Sequence, residues 1–395
     1  MKLIDTQLNR ALILSLIATS AIYATNGDTL IGVGAKTRAM GGAGIAFSHG
    51  AESTLVNPAL ITDVKETEIS FGGTIFLPTV KTQMGNKEHK SKADVSVIPA
   101  VAIASKVKPN IYIGVGMWGT AGMGVDFKDN PELFKMETTL QLMQFAVPIA
   151  YKFSNGLSLG IAPILQYGSL DIHYQLPQAM GGLNIGDGQN QDFGIGVVVG
   201  GLYDFNNGFK IGAVYKSKIK MKYEHSISAA TAPFHLGFLD SLDQPAEFGI
   251  GFSYTFGAHS IAADYKKILW SKAKGYKDFG WRDQNVFALG YEYNAGKWAL
   301  RVGFNHAKTP VRIFNQPQKT ALDMFNLLGF PATMENHLSI GGTYRYNKNF
   351  SIDTTLVYGF TKEKSADVSA MFGPGAKIKN KHTEVGVTIQ LNYKF

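Results

Sequence analysis

The sequence predicts an all-β protein, a 14-stranded antiparallel transmembrane β-barrel with an N-terminal hatch, or plug, inside its lumen. Three observations lead to this fold class. Segments that alternate bulky with small or polar residues recur along the chain, and the connections between them are short and long in turn. After residue 24, no uninterrupted apolar stretch reaches the ~20 residues that a membrane helix needs. If the chain spans a membrane, we expect it to do so with strands.

Residues 1–24 are predicted to be a secretory signal peptide. Lys2 and Arg10 precede an uncharged apolar run at 11–18, and the small residues Ala21 and Ala24 come before a polar stretch. An uncleaved membrane anchor is the alternative, but the run is too short to span roughly 30 Å of hydrocarbon. We therefore expect export, with cleavage after Ala24.

Residues 25–65 are predicted to form the hatch. They lack the strand pattern and are rich in Gly and Ala from 32 to 46. Fourteen strands enclose a lumen too wide for wall side chains to fill, so an N-terminal segment of this size fits inside it. A disordered tail is the alternative, but such tails are usually poorer in the Val, Leu and Ile that this segment carries.

Residues 66–395 are predicted to form the barrel. At the C-terminus, Val385, Val387, Ile389 and alternate residues up to Phe395 are apolar, while the residues between them are small or polar. Strand candidates of this kind are centred near residues 75, 100, 117, 146, 164, 199, 216, 251, 265, 289, 303, 341, 356 and 388. A soluble β-sandwich would bury the bulky faces against each other, but export and the terminal Phe395 favour a barrel in an outer membrane.

The connections alternate between tight turns and long segments. Turns are predicted at 108–110, 154–156, 206–208, 257–258, 294–296 and 347–349, and longer segments near 84–93, 126–136, 177–191, 226–245, 273–282, 310–334 and 364–379. Short periplasmic turns and long outside loops are typical of outer-membrane barrels.

Composition excludes several other classes. The absence of Cys excludes disulfide scaffolds, Cys-based metal sites and thiol nucleophiles. The net charge of +8 comes from scattered residues without a basic stripe, so we expect no nucleic-acid partner. The G-x-G-x-x-G string at 114–119 is not followed by a helix pattern, and neither a G-x-S-x-G elbow nor an HExxH motif is present. We predict neither enzyme activity nor a catalytic, metal or cofactor site.

The sequence resembles the FadL/TodX family of outer-membrane transporters for long-chain fatty acids and other hydrophobic compounds. Asn57-Pro58-Ala59 matches the motif of the family's hatch, after a Gly-rich lead-in that begins at Gly32. Further matching strings follow in order at 153–156, 214–217, 264–271, 303–311 and 392–395. The resemblance covers the whole mature chain. It implies a 14-stranded barrel closed by its N-terminal hatch, in agreement with the strand count.

The resemblance also implies a route. A hydrophobic ligand is captured by the outside loops, passes to an interior site, and leaves sideways through the wall beside a kink in the third strand. Here that strand carries Gly119, Gly122 and Gly124, and glycines within a strand permit a bend. Gly122 is the best match to the kink. The alternative is that these glycines only make room for the hatch.

Two outside loops carry apolar residues where polar ones are expected. They are Met180, Leu183 and Ile185 in one loop, and Phe234, Leu236, Phe238 and Leu239 in the other. Exposed apolar patches usually bind something, so these residues are predicted to form a ligand groove. They could also pack on each other as a lid.

Arg301 and Arg345 share the small, polar face of their strands and are candidates for binding a carboxylate head group. The alternative is an Arg–Glu ladder inside the barrel, with Glu292 and Glu384 as partners.

We therefore expect a passive transporter of long-chain fatty acids or related hydrophobic molecules. Its predicted partners are the ligand and outer-membrane lipid, without an energy-coupling protein, and we expect a monomer. The alternatives are an uptake channel for aromatic or alkane hydrocarbons, and a general porin or adhesin that uses the barrel as a scaffold.

Overall fold

The computed structural model describes residues 25–395. The predicted signal peptide lies outside the described residues. Among these residues, no helix is long and apolar enough to cross a membrane.

Fourteen antiparallel strands form a closed barrel, which confirms the predicted fold class. They are β1 (Thr67–Met84), β2 (Ser96–Lys108), β3 (Ile111–Asp126), β4 (Glu137–Ala146, continued as Ile149–Lys152), β5 (Leu157–Gln175), β6 (Asn190–Asp204), β7 (Phe209–Lys216), β8 (Glu247–Phe256), β9 (His259–Ile268), β10 (Gln284–Asn294), β11 (Trp298–Ala307), β12 (Asn336–Arg345), β13 (Phe350–Asp367) and β14 (Lys377–Lys394). Each strand pairs with the next, and β14 pairs with β1 from Ile378↔Met84 to Lys394↔Glu68. Every strand candidate from the sequence falls on one of them.

One end of the barrel carries turns of two to four residues, and the other carries loops of up to 30 residues, as the sequence predicts. We call these ends the turn side and the loop side. The loops contain short elements. They are the strands Lys87–Lys90 and Asn184–Ile185, the α-helices Ser226–Thr231, Thr320–Met324 and Ser369–Phe372, the 3-10 helices Pro131–Leu133, Gln178–Met180, Ala232–Phe234, Trp270–Lys272 and Pro317–Lys319, and the π-helix Phe325–Gly329.

The outer face of the barrel is apolar and ends in aromatic rings on both sides. On the turn side, the exposed rings include Tyr151, Phe205, Tyr254, Tyr293, Trp298, Tyr346 and Phe395. On the loop side they include Phe145, Phe193, Tyr215, Phe248, Phe287, Tyr358 and Phe360. We call these sets the turn-side and loop-side girdles. They are typical of a barrel that faces lipid.

Residues 25–66, here called the N-terminal segment, lie within the ring of strands. They contain the short strands Thr25–Asn26 and Thr29–Leu30, the α-helix Ala35–Ala39, and the 3-10 helices Gly50–Leu55 and Pro58–Asp63. Hydrogen bonds join this segment to strands around the wall: Thr62 to Ser158 on β5, Asn57 to Gly201 on β6, Gly44 to Asp264 on β9, Gly41 to Ser339 on β12, and Ala35 to Gln390 on β14.

Candidate functional site: an apolar interior and a gap in the wall

The loop-side half of the lumen is filled by apolar side chains. Inward-facing residues of β4 and β5 meet side chains that the loops fold into the lumen. This loop-side core includes Leu140, Leu142, Leu170, Ile172, Tyr174, Leu242, Phe279, Trp281, Phe325, Leu327 and Leu328, all buried. An apolar interior at this level can accept a hydrophobic molecule once side chains move.

Phe325 lies at the centre of the loop-side core. Its ring centroid is 6.0 Å from that of Tyr174, 5.7 Å from that of Phe234 and 5.9 Å from that of Phe279. Beside it is a cavity of about 20 Å³, lined mainly by apolar residues with Asn326 as a polar contact. That volume holds about one water molecule. The interior is therefore closed in this state, and a ligand has to displace side chains to enter.

Asn326 fixes the loop that carries Phe325. Its side-chain nitrogen donates to the carbonyl oxygens of Phe279 (3.0 Å) and Arg312 (3.2 Å), and its side-chain oxygen accepts from the Trp281 indole (3.2 Å). Asp323 accepts hydrogen bonds from the backbone N–H groups of Phe314 (2.8 Å) and Asn315 (2.9 Å), earlier in the same loop. A few buried polar groups thus hold the loop, while its apolar side chains make no directional bonds.

Asp28 links the N-terminal segment to the outside loops. Its carboxylate accepts hydrogen bonds from the Tyr276 hydroxyl and from Gln244 (3.3 Å). Burial raises the pKa of Asp28 to about 6, although these hydrogen bonds oppose the increase. Burial, reinforced by the Asp28 charge, also raises the pKa of Tyr276. The adjacent Gly27 has φ of +72°, and a Cβ there would lie 2.6 Å from the Trp270 ring.

The barrel wall has a gap between β2 and β3. The pairing of these strands ends at Ala100↔Trp118, whereas the opposite edge of β3 stays paired with β4 as far as Asp126↔Glu137. The next β2 residue is Pro99, which has no N–H for the ladder. On the free edge of β3, Thr29 of the N-terminal segment pairs with Ala121, and the Gly122 N–H donates to the Asp28 carbonyl oxygen (3.0 Å). The N-terminal segment therefore covers the gap from inside.

A second cavity, of about 100 Å³, lies next to this gap, between the N-terminal segment and the wall. Trp118 and Thr120 line it, and the Trp118 indole nitrogen and the Thr120 hydroxyl are buried without a hydrogen-bond partner. Lys266 also lines it, together with the ion pair of Lys216 and Glu247 (3.5 Å). In the described part of the chain, Lys266 has no ion pair. The cavity thus combines apolar walls with unpaired donors.

Comparison with known proteins identifies the architecture. The family described as "Outer membrane protein transport protein (OMPP1/FadL/TodX)" matches residues 11–395. The chain belongs to this family. It is 25% identical to the long-chain fatty acid transport protein of Escherichia coli O6:H1 over 421 aligned positions, which cover 90% of this chain and 91% of the relative.

Two solved structures share the fold of this FadL/TodX-family protein. A Pseudomonas aeruginosa FadL homologue superimposes with a TM-score of 0.73 at 15% identity and covers 93% of this chain and 100% of its own. The toluene transporter TodX of Pseudomonas putida gives 0.69 at 16% identity, with 92% and 99% covered. The predicted family, barrel and outer-membrane location are confirmed, and the chain is a transport protein rather than an enzyme.

The predicted hatch motif of this FadL/TodX-family protein lies at a tight contact with β6. Asn57 is fully buried and its side-chain nitrogen donates to the carbonyl oxygens of Ile45 (2.8 Å) and Gly201 (3.2 Å). Its side-chain oxygen accepts from the Ala59 N–H and so caps the 3-10 helix that Pro58 begins. Gly200 makes this possible, because a Cβ there would lie 1.9 Å from the Asn57 oxygen.

The glycines predicted to bend the third strand lie at the gap, but they differ in their contacts. The pairing register shifts between Gly119 and Ala121, so the irregularity precedes Gly122. Gly122 contacts the N-terminal segment through Asp28. At Gly124, a Cβ would lie 2.1 Å from the Thr138 carbonyl oxygen, so this glycine permits close packing on β4.

The predicted loop residues divide into two groups. Ile185, Phe234, Leu236 and Phe238 pack against the loop-side core, whereas Met180, Leu183 and Leu239 are exposed. The first group therefore lies on the loop-side core, and the second lies at the surface.

The two arginines lie away from the loop-side core. Arg301 donates to Glu292 (2.6 Å) and to the Thr343 hydroxyl (2.8 Å), which is the arrangement of an Arg–Glu ladder. Arg345 donates to the Gly296 carbonyl oxygen in a turn. Both guanidinium groups lie in the turn-side half and already donate hydrogen bonds there. Neither arginine is therefore well placed to contact a head group.

Several residues of the site were not predicted from the sequence. Pro99 could have been recognised, because proline within a strand indicates an unpaired edge. Lys266 has the inward parity of β9, as Asp264 does, and was open to the same reasoning as the arginines. The unpaired state of the Trp118 and Thr120 donors depends on the packing of the N-terminal segment, which the sequence pattern does not reveal.

Proposed function

We propose that this protein passively transports long-chain fatty acids or related hydrophobic molecules from the outside loops into the outer membrane, through the gap between β2 and β3. The interruption of the wall at Ala100↔Trp118 carries the proposal, since the N-terminal segment rather than a neighbouring strand covers the edge of β3 there. The full-length likeness to the E. coli long-chain fatty acid transport protein supports this substrate class.

The first step is capture at the loops. The exposed Met180, Leu183 and Leu239 offer apolar contacts at the outer surface, and the ligand then displaces side chains around Phe325 to enter the loop-side core. Loss of water from the ligand chain drives this step, at roughly 0.8 kcal/mol per CH₂.

The second step is a movement of the hatch, residues 25–65. Thr29–Leu30 leaves the edge of β3, and Asp28 separates from Tyr276. The remainder of the hatch stays on the wall through Asn57 and the polar contacts of the turn side. The third step is lateral release, which keeps the chain in hydrocarbon throughout.

For a carboxylate head group, we propose Lys266 with the Trp118 and Thr120 donors at the second cavity. An ammonium and two neutral donors without partners can satisfy a carboxylate there.

A disulfide between the hatch and the free edge of β3 tests the route. The chain has no Cys, so Thr29→Cys with Ala121→Cys introduces the only pair. These residues are directly opposite each other in an antiparallel pairing, which suits disulfide geometry. We expect cells with the oxidised variant to lose uptake of labelled long-chain fatty acid, and reduction to restore it.

The control pair is Thr255→Cys with Ser260→Cys, which face each other near a turn. Its oxidation should leave uptake unchanged. Full uptake by the oxidised Thr29–Ala121 variant would contradict the route. A large ion conductance of the purified wild type would instead favour a porin.

Substrate class is tested with Lys266→Met, and with Lys267→Met as the control on the opposite face of β9. We expect the first variant to weaken binding of a long-chain fatty acid while leaving toluene binding unchanged. Equal effects of the two variants on fatty acid would remove the head-group proposal. Tight toluene binding without fatty-acid binding would indicate that the substrates are aromatic hydrocarbons.

A further inference from the structure

A groove of about 380 Å³ lies on the outside of the wall, at the loop-side ends of β10 and β11. Its orientation follows from strand alternation, since Val286 and Ala307 face inward and are buried, whereas the lining residues Phe287 and Lys308 alternate with them and are exposed. The groove is therefore separate from the loop-side core.

Three cationic side chains line this groove without a carboxylate partner. Among residues 25–395, Arg282, Lys308 and Lys364 form no ion pair; the charge of Glu335 attracts Lys364, and the charges of Lys362 and Arg282 repel it. The two acidic residues of the lining are hydrogen-bonded to other groups. Glu335 accepts from Lys362 (2.5 Å) and from the Thr309 N–H (3.3 Å). Asp283 accepts from the Ser271 N–H (3.0 Å). An excess of positive charge thus remains in a concave site.

The depth of the groove in the membrane indicates its ligand. Phe287, at its edge, belongs to the loop-side girdle, and aromatic girdles mark the level of the lipid head groups. Cations just beyond a girdle lie where lipid phosphates are found. We propose that this groove binds the phosphate of a phosphorylated glycolipid in the outer leaflet, with one acyl chain against Phe287.

A second set of lysines on the same side of the barrel provides a matched comparison. Lys81, Lys379 and Lys381 lie on β1 and β14, and each already has a carboxylate partner: Lys81 is 3.2 Å from Glu88, Lys379 is 2.8 Å from Glu363, and Lys381 is 2.8 Å from Glu88. Removing these three charges alters the total charge as much as removing the groove cations does.

The experiment measures binding of diphosphoryl lipid A to the purified protein in neutral detergent. The test variant combines Arg282→Gln, Lys308→Gln and Lys364→Gln, and the control combines Lys81→Gln, Lys379→Gln and Lys381→Gln. We expect the test variant to lose at least about tenfold in affinity and the control less than about threefold. Dephosphorylated lipid A should bind both variants and the wild type equally weakly. Heat resistance of the barrel in detergent verifies that each variant is folded.

Three results would overturn the proposal. Equal losses in the two variants would indicate general charge attraction. Inorganic phosphate that binds the wild type as tightly as lipid A does would make free phosphate the ligand. A loss of fatty-acid binding with unchanged lipid A affinity would assign the groove to the transported molecule.

Discussion

The two halves of the lumen differ in what fills them, although the same ring of strands surrounds both. On the turn side, wall residues such as Asp264, Ser339 and Gln390 hydrogen-bond to the N-terminal segment. On the loop side, the interior consists of apolar rings such as Phe279 and Phe325, packed with few hydrogen bonds.

This difference predicts that the turn-side half keeps its arrangement and that the loop-side half rearranges around a ligand. Directional hydrogen bonds to a buried backbone are costly to leave unsatisfied, so the turn-side half resists rearrangement. Apolar contacts can be exchanged for those of an apolar ligand at little cost. The gap between β2 and β3 lies where the two halves meet, at Trp118. A ligand that enters from the loop side therefore meets the hydrogen-bonded turn-side half below it and the gap between β2 and β3 beside it.

The largest effect is expected from adding a side chain where the N-terminal segment packs against Gly303 of the wall. A Cβ at Gly303 would lie 2.0 Å from the Gly41 nitrogen, whereas at Gly329, under the loops, its nearest neighbour is 3.6 Å away. We expect Gly303→Ala to destabilise the seated N-terminal segment by about 1–3 kcal/mol, and Gly329→Ala to be nearly neutral. Protease cleavage within residues 25–66 of the purified protein measures the difference. Equal protection of the two variants would show that the halves are equally tolerant.

The hatch motif provides a second comparison between the halves. Asn57 and Asn130 both cap a 3-10 helix before proline, but Asn130 lies in an exposed loop. Asn57→Ala leaves two buried carbonyl oxygens without their donor, at a cost of about 1–3 kcal/mol, and should raise ion leakage through single channels in planar bilayers. Asn130→Ala should not change conductance. If Asn57→Ala conducts no more than the wild type, the turn-side contacts are not what keeps the lumen closed.

The sequence predicted the wall more completely than the site. Alternation of side chains is a local property, so each strand could be located from its own residues, as Val385 to Phe395 locate the last one. The gap depends on which strand edges remain unpaired, a long-range property for which Pro99 and the glycines at 119, 122 and 124 were only local signs. The charge environment of Arg301 and Lys266 depends on cross-strand neighbours, which pairing register determines and composition does not.

A third, smaller effect is expected in the loop-side core. Phe325→Ala removes contacts to Tyr174, Phe234 and Phe279, and should raise the concentration of fatty acid needed for half-maximal uptake severalfold. Because Phe234 and Phe279 lie in loops and Tyr174 lies at the loop-side end of β5, the heat resistance of the barrel should change little. Phe360→Ala, on the lipid-facing side, serves as the control. A loss of heat resistance without a change in uptake would make Phe325 a structural residue only.

The smallest effect concerns pH and the contact of Asp28. Its pKa is raised to about 6 by burial among Tyr276, Tyr223 and Gln244, and the charge of Lys216 opposes the increase. Stabilisation of the closed contact is therefore fully present below the ordinary pKa of 3.8 and is lost as the pH rises through about 6. We expect uptake to rise between about pH 4 and pH 7.

Asp28→Asn keeps an acceptor for Tyr276 but cannot ionise, so its uptake should stay low and independent of pH over this range. The exposed Asp94→Asn is the control and should retain the wild-type profile. A rise with pH in Asp28→Asn would assign the dependence to another group.

The path of the ligand is tested most directly by photo-crosslinking. A fatty acid with a diazirine in its chain is added to membranes that contain the protein, irradiated, and its attachment sites are mapped by mass spectrometry. The proposed route predicts adducts in the loop-side core around Phe325 and at the gap, on Val97 and Thr120, without adducts on the turn-side residues Arg301 and Asp353. Adducts that continue past the gap to Arg301, Asp353 and the turns would contradict lateral release and indicate passage straight through the barrel.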